Sequence, residues 1–176
     1  MKRLLMCAGV LIAATCSLSA QQKPPASPPE TATGTIAGKT ITIDYNSPRV
    51  KGREGHVFTK DGLIKTAHGS QYPIWRGGAN AATTLKTDGD LTIGDLAVPK
   101  GTYTLFVDIS DPDQWTLIVS KKTGEWGLAY DSSQDLGRVK MKMSKPPAMV
   151  EDLAWTVGKG RITLAWENHE ASVPVH

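Results

Sequence analysis

Residues 75–80, Trp-Arg-Gly-Gly-Ala-Asn, hold more potential chemistry than any other stretch of the chain. Arg76 brings a planar fork of five donors, Asn80 brings both donors and an acceptor, and the paired glycines let backbone approach a ligand closely. Such a loop could recognise a carboxylate, a phosphate or a sugar, with Trp75 offering a ring face. The same residues also suit a staple, with Arg76 tucked under a turn onto carbonyl groups and Trp75 in the core. A second basic group lies at Ser47-Pro48-Arg49-Val50-Lys51-Gly52-Arg53. If that segment is extended, Arg49, Lys51 and Arg53 project from one side and join Arg76 in an anion-binding patch. Read otherwise, it is a charged sheet edge that discourages strand pairing.

Reactive constellations are sparse. His56, His68, His169 and His176 lack the HExxH pattern and the i, i+4 spacing of a zinc site. Glu167, His169 and Glu170 cluster in sequence, where Asn168-His169-Glu170 reads as a hairpin turn and a metal is not expected. The segment GTIAGKT, 34–40, has one residue too few between its glycines for a phosphate loop and leads into a strand. No G-x-S-x-G elbow is present. The sequence therefore names no catalytic residue, no metal ligand and no cofactor. An alternative remains, a hydrolase or lyase with dispersed residues, in which His56 or His68 beside a carboxylate would carry protons.

The frame that must position these residues begins after a leader. Lys2 and Arg3 precede an apolar run, Leu4 to Thr15, closed by small residues, which is the pattern of a secretory signal over 1–20. Export to the periplasm or the cell exterior is expected. Cys16 leaves open a lipid anchor, although Thr15 before it is a poor match to a lipoprotein signal. The run is too short for a membrane span. Both cysteines, Cys7 and Cys16, fall in this leader, so the mature chain has no disulfide. Two of the 20 Lys and Arg residues and none of the 17 acids lie there too, which lowers the net charge from +3 to +1. That balance argues against a nucleic-acid partner, which demands a concentrated basic face. The Pro-rich stretch 21–33 reads as a tether, leaving 34–176 as a single domain.

Within that domain apolar residues alternate with polar ones, the mark of strands with one buried face. Ile41, Ile43 and Tyr45 form one such row; Tyr103, Leu105 and Val107 another; Trp115, Leu117 and Val119 a third. Val139, Met141 and Met143, then Leu153, Trp155 and Val157, then Ile162, Leu164 and Trp166 follow the same rule. Turn chemistry at Ala37-Gly38, Pro99-Lys100-Gly101 and Lys159-Gly160 joins them by links too short for parallel neighbours. The expected fold is all-β, an antiparallel β-sandwich of immunoglobulin-like or jelly-roll type. A short helical turn suits 122–134. Trp115, Trp155 and Trp166 sit in phase with aliphatic residues and belong to the core; Trp75 and Trp126 stand in loops, where a ligand role stays open.

Several ordered pieces, YNSPRVKGR at 45–53, IWRGGANAATT at 74–84, DLTIGDLAVPKGTYTLF at 90–106, QWTLIVSK at 114–121, RVKM at 138–141 and LAWEN at 164–168, resemble the bacterial family catalogued as domain of unknown function twenty-nine eleven. The resemblance runs over about 41–175 and implies an exported all-β protein. It supplies neither substrate nor catalytic residue. The segment 54–72 departs from the family pattern in being longer and in carrying Gly, Lys and His. Together these readings lead to a non-catalytic envelope domain that binds a small anionic or carbohydrate ligand or a protein partner, with Arg76, Asn80, Trp75, Lys51 and Arg53 as the ligand-binding set.

Overall fold

The computed structural model describes residues 25–59, 62–64, 74–124 and 129–176. The leader, Cys16, His68 and Trp126 lie outside the described residues. The protein is an antiparallel β-sandwich. The larger sheet holds β1 (Pro29–Ile36), β2 (Lys39–Asn46), β4 (Thr83–Thr87), β7 (Gly101–Asp108), β8 (Thr116–Ser120) and β9 (Asp135–Lys140) in that order, with the short β3 (Ile74–Trp75) pairing with β7. The smaller sheet runs β10 (Lys142–Ser144), β13 (His169–Pro174), β12 (Arg161–Glu167), β11 (Val150–Gly158). A hairpin of β5 (Leu91–Ile93) and β6 (Leu96–Val98) extends the small sheet, because Thr92 and His176 exchange backbone hydrogen bonds beyond the Ile93–Val175 bridge. Among the described residues no helix is long and apolar enough to cross a membrane.

Alternation decides which face is core. Ile41, Ile43, Leu85, Leu105, Leu117 and Val119 from the large sheet meet Leu153, Trp155, Ile162 and Leu164 from the small one, all of them buried. Burying each such side chain stabilises the fold by roughly 1.5–3 kcal/mol. The sheet edges close where glycine permits it. A Cβ on Gly34 of β1 would fall 2.4 Å from the Val157 carbonyl oxygen of β11, and one on Gly137 of β9 would fall 2.4 Å from Leu96 of β6.

Three elements differ from the sequence reading. Strand β1 starts at Pro29, inside the stretch expected as a tether, because Thr31, Thr33 and Thr35 find backbone partners along β2. Proline is tolerated there because it opens an edge strand. The run 138–143 is two strands rather than one. Met141 still bonds to the Trp115 carbonyl, after which the chain leaves β9 for the other sheet, and the alternation survives because both sheets face one core. The expected turn at 168–170 lies one residue earlier: Trp166 pairs with His169, so Glu167 and Asn168 form the loop. The short helical turn expected within 122–134 is a 3-10 turn at Ser132–Gln134, capped by Asp131.

The two ends of the sandwich are built differently. At one, Ala37-Gly38 and Lys159-Gly160 close tight hairpins with both residues at positive φ. At the other, β2, β7 and β12 end while β4, β8 and β13 begin, so the described connections from residue 47 and over 76–82 and the 167–168 turn gather there. The sheets are tied at this end by Ser47 Oγ donating to the Leu153 carbonyl at 2.7 Å and by Leu153 N–H donating to the Pro48 carbonyl.

Candidate functional site

The 75–80 loop is fastened through its backbone. The indole N–H of Trp75 donates to the Gly78 carbonyl at 3.0 Å, and that of Trp155 donates to the Gly77 carbonyl at 2.8 Å. Gly77 sits at φ 63°, and a Cβ there would meet the Trp155 ring at 2.8 Å; a Cβ on Gly78 would meet the Asn46 carbonyl oxygen at 2.9 Å. Both glycines are therefore required by close approach of the loop to the core. Trp75 is 5% exposed and stacks on Trp166, which corrects the open reading of its loop context: its ring and its N–H are committed to the core.

Arg76 is different. It is partly buried, and one nitrogen, Nη1, donates to the Asn80 carbonyl at 2.8 Å. No carboxylate among the described residues pairs with it, and burial alone pulls its pKa below the ordinary arginine value. With no carboxylate partner among the described residues, such a guanidinium can donate to an anion. Asn80 is exposed, adopts φ 56° and directs its amide toward the Ser27 carbonyl at 3.5 Å.

The basic segment does not extend as the spacing suggested. Lys51 and Gly52 both take positive φ, which folds 50–53 into a turn and breaks the one-sided row. Arg53 curls back, its Nε donating to the Val50 carbonyl at 2.8 Å and its Nη2 to the Arg49 carbonyl at 2.6 Å. Arg49 is paired with Asp152 at 2.8 Å on an exposed rim. Lys51 is exposed, and its own N–H bonds Glu151 Oε1 at 2.9 Å. Of these cations only Lys51 leaves its side chain free of a partner among the described residues.

Beside this loop stands a group whose parts were legible but whose arrangement was not. Glu167 is 2% exposed although it lies in a turn, at φ 56°, where an L-residue other than Asn or Asp is uncommon. Its Oε1 accepts the Gly55 N–H at 2.6 Å, and its Oε2 lies 3.2 Å from His169 Nδ1. Asn168 donates to Glu54 Oε1 at 2.9 Å, so the 167–168 turn holds the Gly55 backbone and the Glu54 side chain. From the same segment Phe58 packs edge-on to Trp75, Trp166 and His169, while the His169 ring lies parallel to Trp115 at 5.5 Å. Glu167, His169 and Glu170 do not assemble as a metal set; no group of three or more metal-capable side chains occurs among the described residues.

One further polar cluster lies on the outer face of the large sheet. Tyr130 donates to Asp135 Oδ2 at 2.8 Å and accepts from Arg138, which also bonds Asp135 at 2.9 Å. Burial, and after it the Asp135 carboxylate, push the Tyr130 hydroxyl well above its ordinary value. The cluster covers Phe106 and Ile118 and pins the connection that precedes β9.

Fold and site together define an all-β sandwich domain whose polar loops converge at one end. The family described as Protein of unknown function (DUF2911) matches residues 27–175, and the chain belongs to that family. No curated protein and no solved structure matches it.

Proposed function

We propose that this protein is an exported binding domain of the bacterial cell envelope, and that it takes a small anionic ligand at Arg76, without catalysis at that site. The observation that carries the reading is the partly buried guanidinium that, among the described residues, has a single backbone acceptor and no carboxylate partner. A bound carboxylate or phosphate would accept two parallel N–H bonds and offset the desolvation that folding imposes on Arg76. Asn80, on the rim of the same loop, can add a donor, and the exposed Lys51 adds positive charge to the loop-bearing end. Trp75 and Arg53 serve this site by holding backbone rather than by touching ligand. The Lys2-Arg3 leader and its apolar run support export, and the absence of cysteine after residue 16 suits an envelope compartment in which disulfides are optional.

Titration of the mature domain with acetate and with inorganic phosphate, followed by backbone amide shifts at 76–83, tests the reading. Saturable shifts at millimolar ligand that vanish in Arg76→Met are expected. Shifts that rise without saturation, or that persist in the variant, would refute an anion site.

A further inference from the structure

We propose that Glu167 and His169 form a proton-transfer site, with His169 as general base toward water and a small neutral carboxylic ester as the substrate class. The inference concerns a second site and stands independently of the Arg76 reading.

It rests on three observations. The first is orientation. Glu167 Oε2 lies 3.2 Å from His169 Nδ1, and Nδ1 has no other polar partner among the described residues. The N–H is not aimed straight at the oxygen, a looseness common before substrate is bound. Nδ1 is buried, yet the side chain is 32% exposed, so solvent reaches the ring away from Nδ1, and we take Nε2 as the atom it reaches. A buried carboxylate behind Nδ1 fixes the tautomer that leaves Nε2 as acceptor.

The second is strain. Among the described residues the other two-residue hairpins, Ala37-Gly38, Gly94-Asp95 and Lys159-Gly160, each contain a glycine at positive φ, whereas 167–168 holds Glu followed by Asn. Glycine would occupy that first position without cost, but it would remove the carboxylate. Backbone strain retained beneath a buried charge is the kind of outlier that accompanies function.

The third is surroundings. Phe58 and Trp115 border the imidazole, the Glu167 carboxylate lies beside it, and the Glu54 carboxylate is held by the neighbouring Asn168. Apolar rings favour an apolar acyl or aryl group, and two carboxylates repel anions; hence a neutral ester.

The step balances without a cofactor. His169 Nε2 takes a proton from water while the water oxygen bonds to the acyl carbon. The C–O bond to the alcohol then breaks, and the imidazolium returns the proton to the departing alkoxide, giving acid and alcohol. Glu167 is a positioning residue here: it acts on the ring and not on the substrate.

The test is hydrolysis of 4-nitrophenyl acetate by the purified mature domain, by His169→Gln and by Glu167→Gln. Saturable turnover is expected, with kcat falling about 100-fold or more in His169→Gln and KM changing less than about twofold, and with a smaller fall in kcat for Glu167→Gln. Among the described residues the His169 side chain makes no hydrogen bond to backbone, so His169→Gln is expected to stay folded and decides the matter alone should Glu167→Gln lose the Gly55 anchor. An unsaturable wild-type rate, or a wild-type rate no higher than that of His169→Gln, overturns the proposal; an unchanged rate in folded Glu167→Gln overturns the dyad.

Discussion

Replacing Arg76 by Met separates a ligand site from a structural staple. Met keeps most of the aliphatic stem and removes the charge with its donors. Among the described residues the guanidinium makes one protein bond, Nη1 to the Asn80 carbonyl at 2.8 Å, and Asn80 is exposed, so water can replace the donor. A bond of that kind contributes about 0.5–1.5 kcal/mol net. Against it stands the burial of a cation with no counter-charge among the described residues, which lowers the Arg76 pKa and so opposes folding of the charged form. The two effects have opposite sign and similar size, so Arg76→Met should change stability by less than about 1 kcal/mol, in either direction. For a domain of this size that is a shift in Tm of about 2–4 °C. Urea unfolding read by tryptophan fluorescence, with the m-value checked for constancy, gives the number directly. A loss of 2 kcal/mol or more would show that Arg76 satisfies groups the fold cannot do without, and the case for an anion there would fall.

Other consequences follow from the same geometry. Gly77→Ala should cost about 2–5 kcal/mol, roughly 1–2 for a non-glycine residue at φ 63° and 1–3 for the clash at 2.8 Å with the Trp155 ring. Gly52→Ala, at φ 72° with nothing within 4 Å, should cost about 1–2 kcal/mol by the same urea titration; equal losses would contradict the packing argument. Trp155→Phe leaves the Gly77 carbonyl without its donor and should cost about 1–3 kcal/mol beyond the lost ring area, with hydrogen exchange rising at 76–83. Asp88 and Asp131 are held below the ordinary carboxyl value of 3.8 by hydrogen bonds from Thr40 and Ser133 respectively. A folded pKa below the unfolded one gives stability that is present above the unfolded value and lost as pH falls through the folded one. The drop in Tm from about pH 5 to pH 3 should therefore be smaller in Asp88→Asn/Asp131→Asn than in wild type, and an equal drop would remove these two groups from the account.

How much of this was readable beforehand depends on range. The rows Ile41-Ile43, Leu105-Val107 and Leu117-Val119 are core strands because period-2 burial is a local property, written into neighbouring residues. Trp155 and Trp166 were likewise placed by phase. What the alternation could not show is which sheet a strand joins: Val139 and Met143 are in phase, yet β9 and β10 belong to different layers. β1 was hidden because its composition is that of a linker, and only the partner β2 makes strand out of Pro29–Ile36. At the site, the glycines and the Arg76 donors were legible from residue type alone. The bent course of 50–53 was not, because Lys51 at φ 50° is a conformation its sequence does not advertise. Nor could sequence foresee Glu167 against Gly55, a contact across 112 residues.

That contact also gives the loop-bearing end its internal logic. Segment 53–58 crosses the aromatic group formed by Trp75, Trp115 and Trp166 and contributes only Val57 and Phe58 to the apolar interior. Two side chains are a small hydrophobic contribution for six ordered residues, whose backbone alone costs about 1–2 kcal/mol each to fix. The segment therefore depends on polar anchors: Arg53 folded onto Arg49 and Val50, Gly55 on Glu167, and Glu54 on Asn168. Glu167→Gly isolates the strongest of them. Glycine relieves the left-handed strain at 167, about 1–2 kcal/mol, but gives up a charged acceptor worth about 1.5–3 kcal/mol, so global stability should fall by no more than about 2 kcal/mol. The local effect should be larger than the global one: hydrogen exchange should accelerate at the Gly55 amide while amides in β7 and β8 keep their protection. If exchange at Gly55 is unchanged, Glu167 does not hold this segment, and the strain at φ 56° would need another cause.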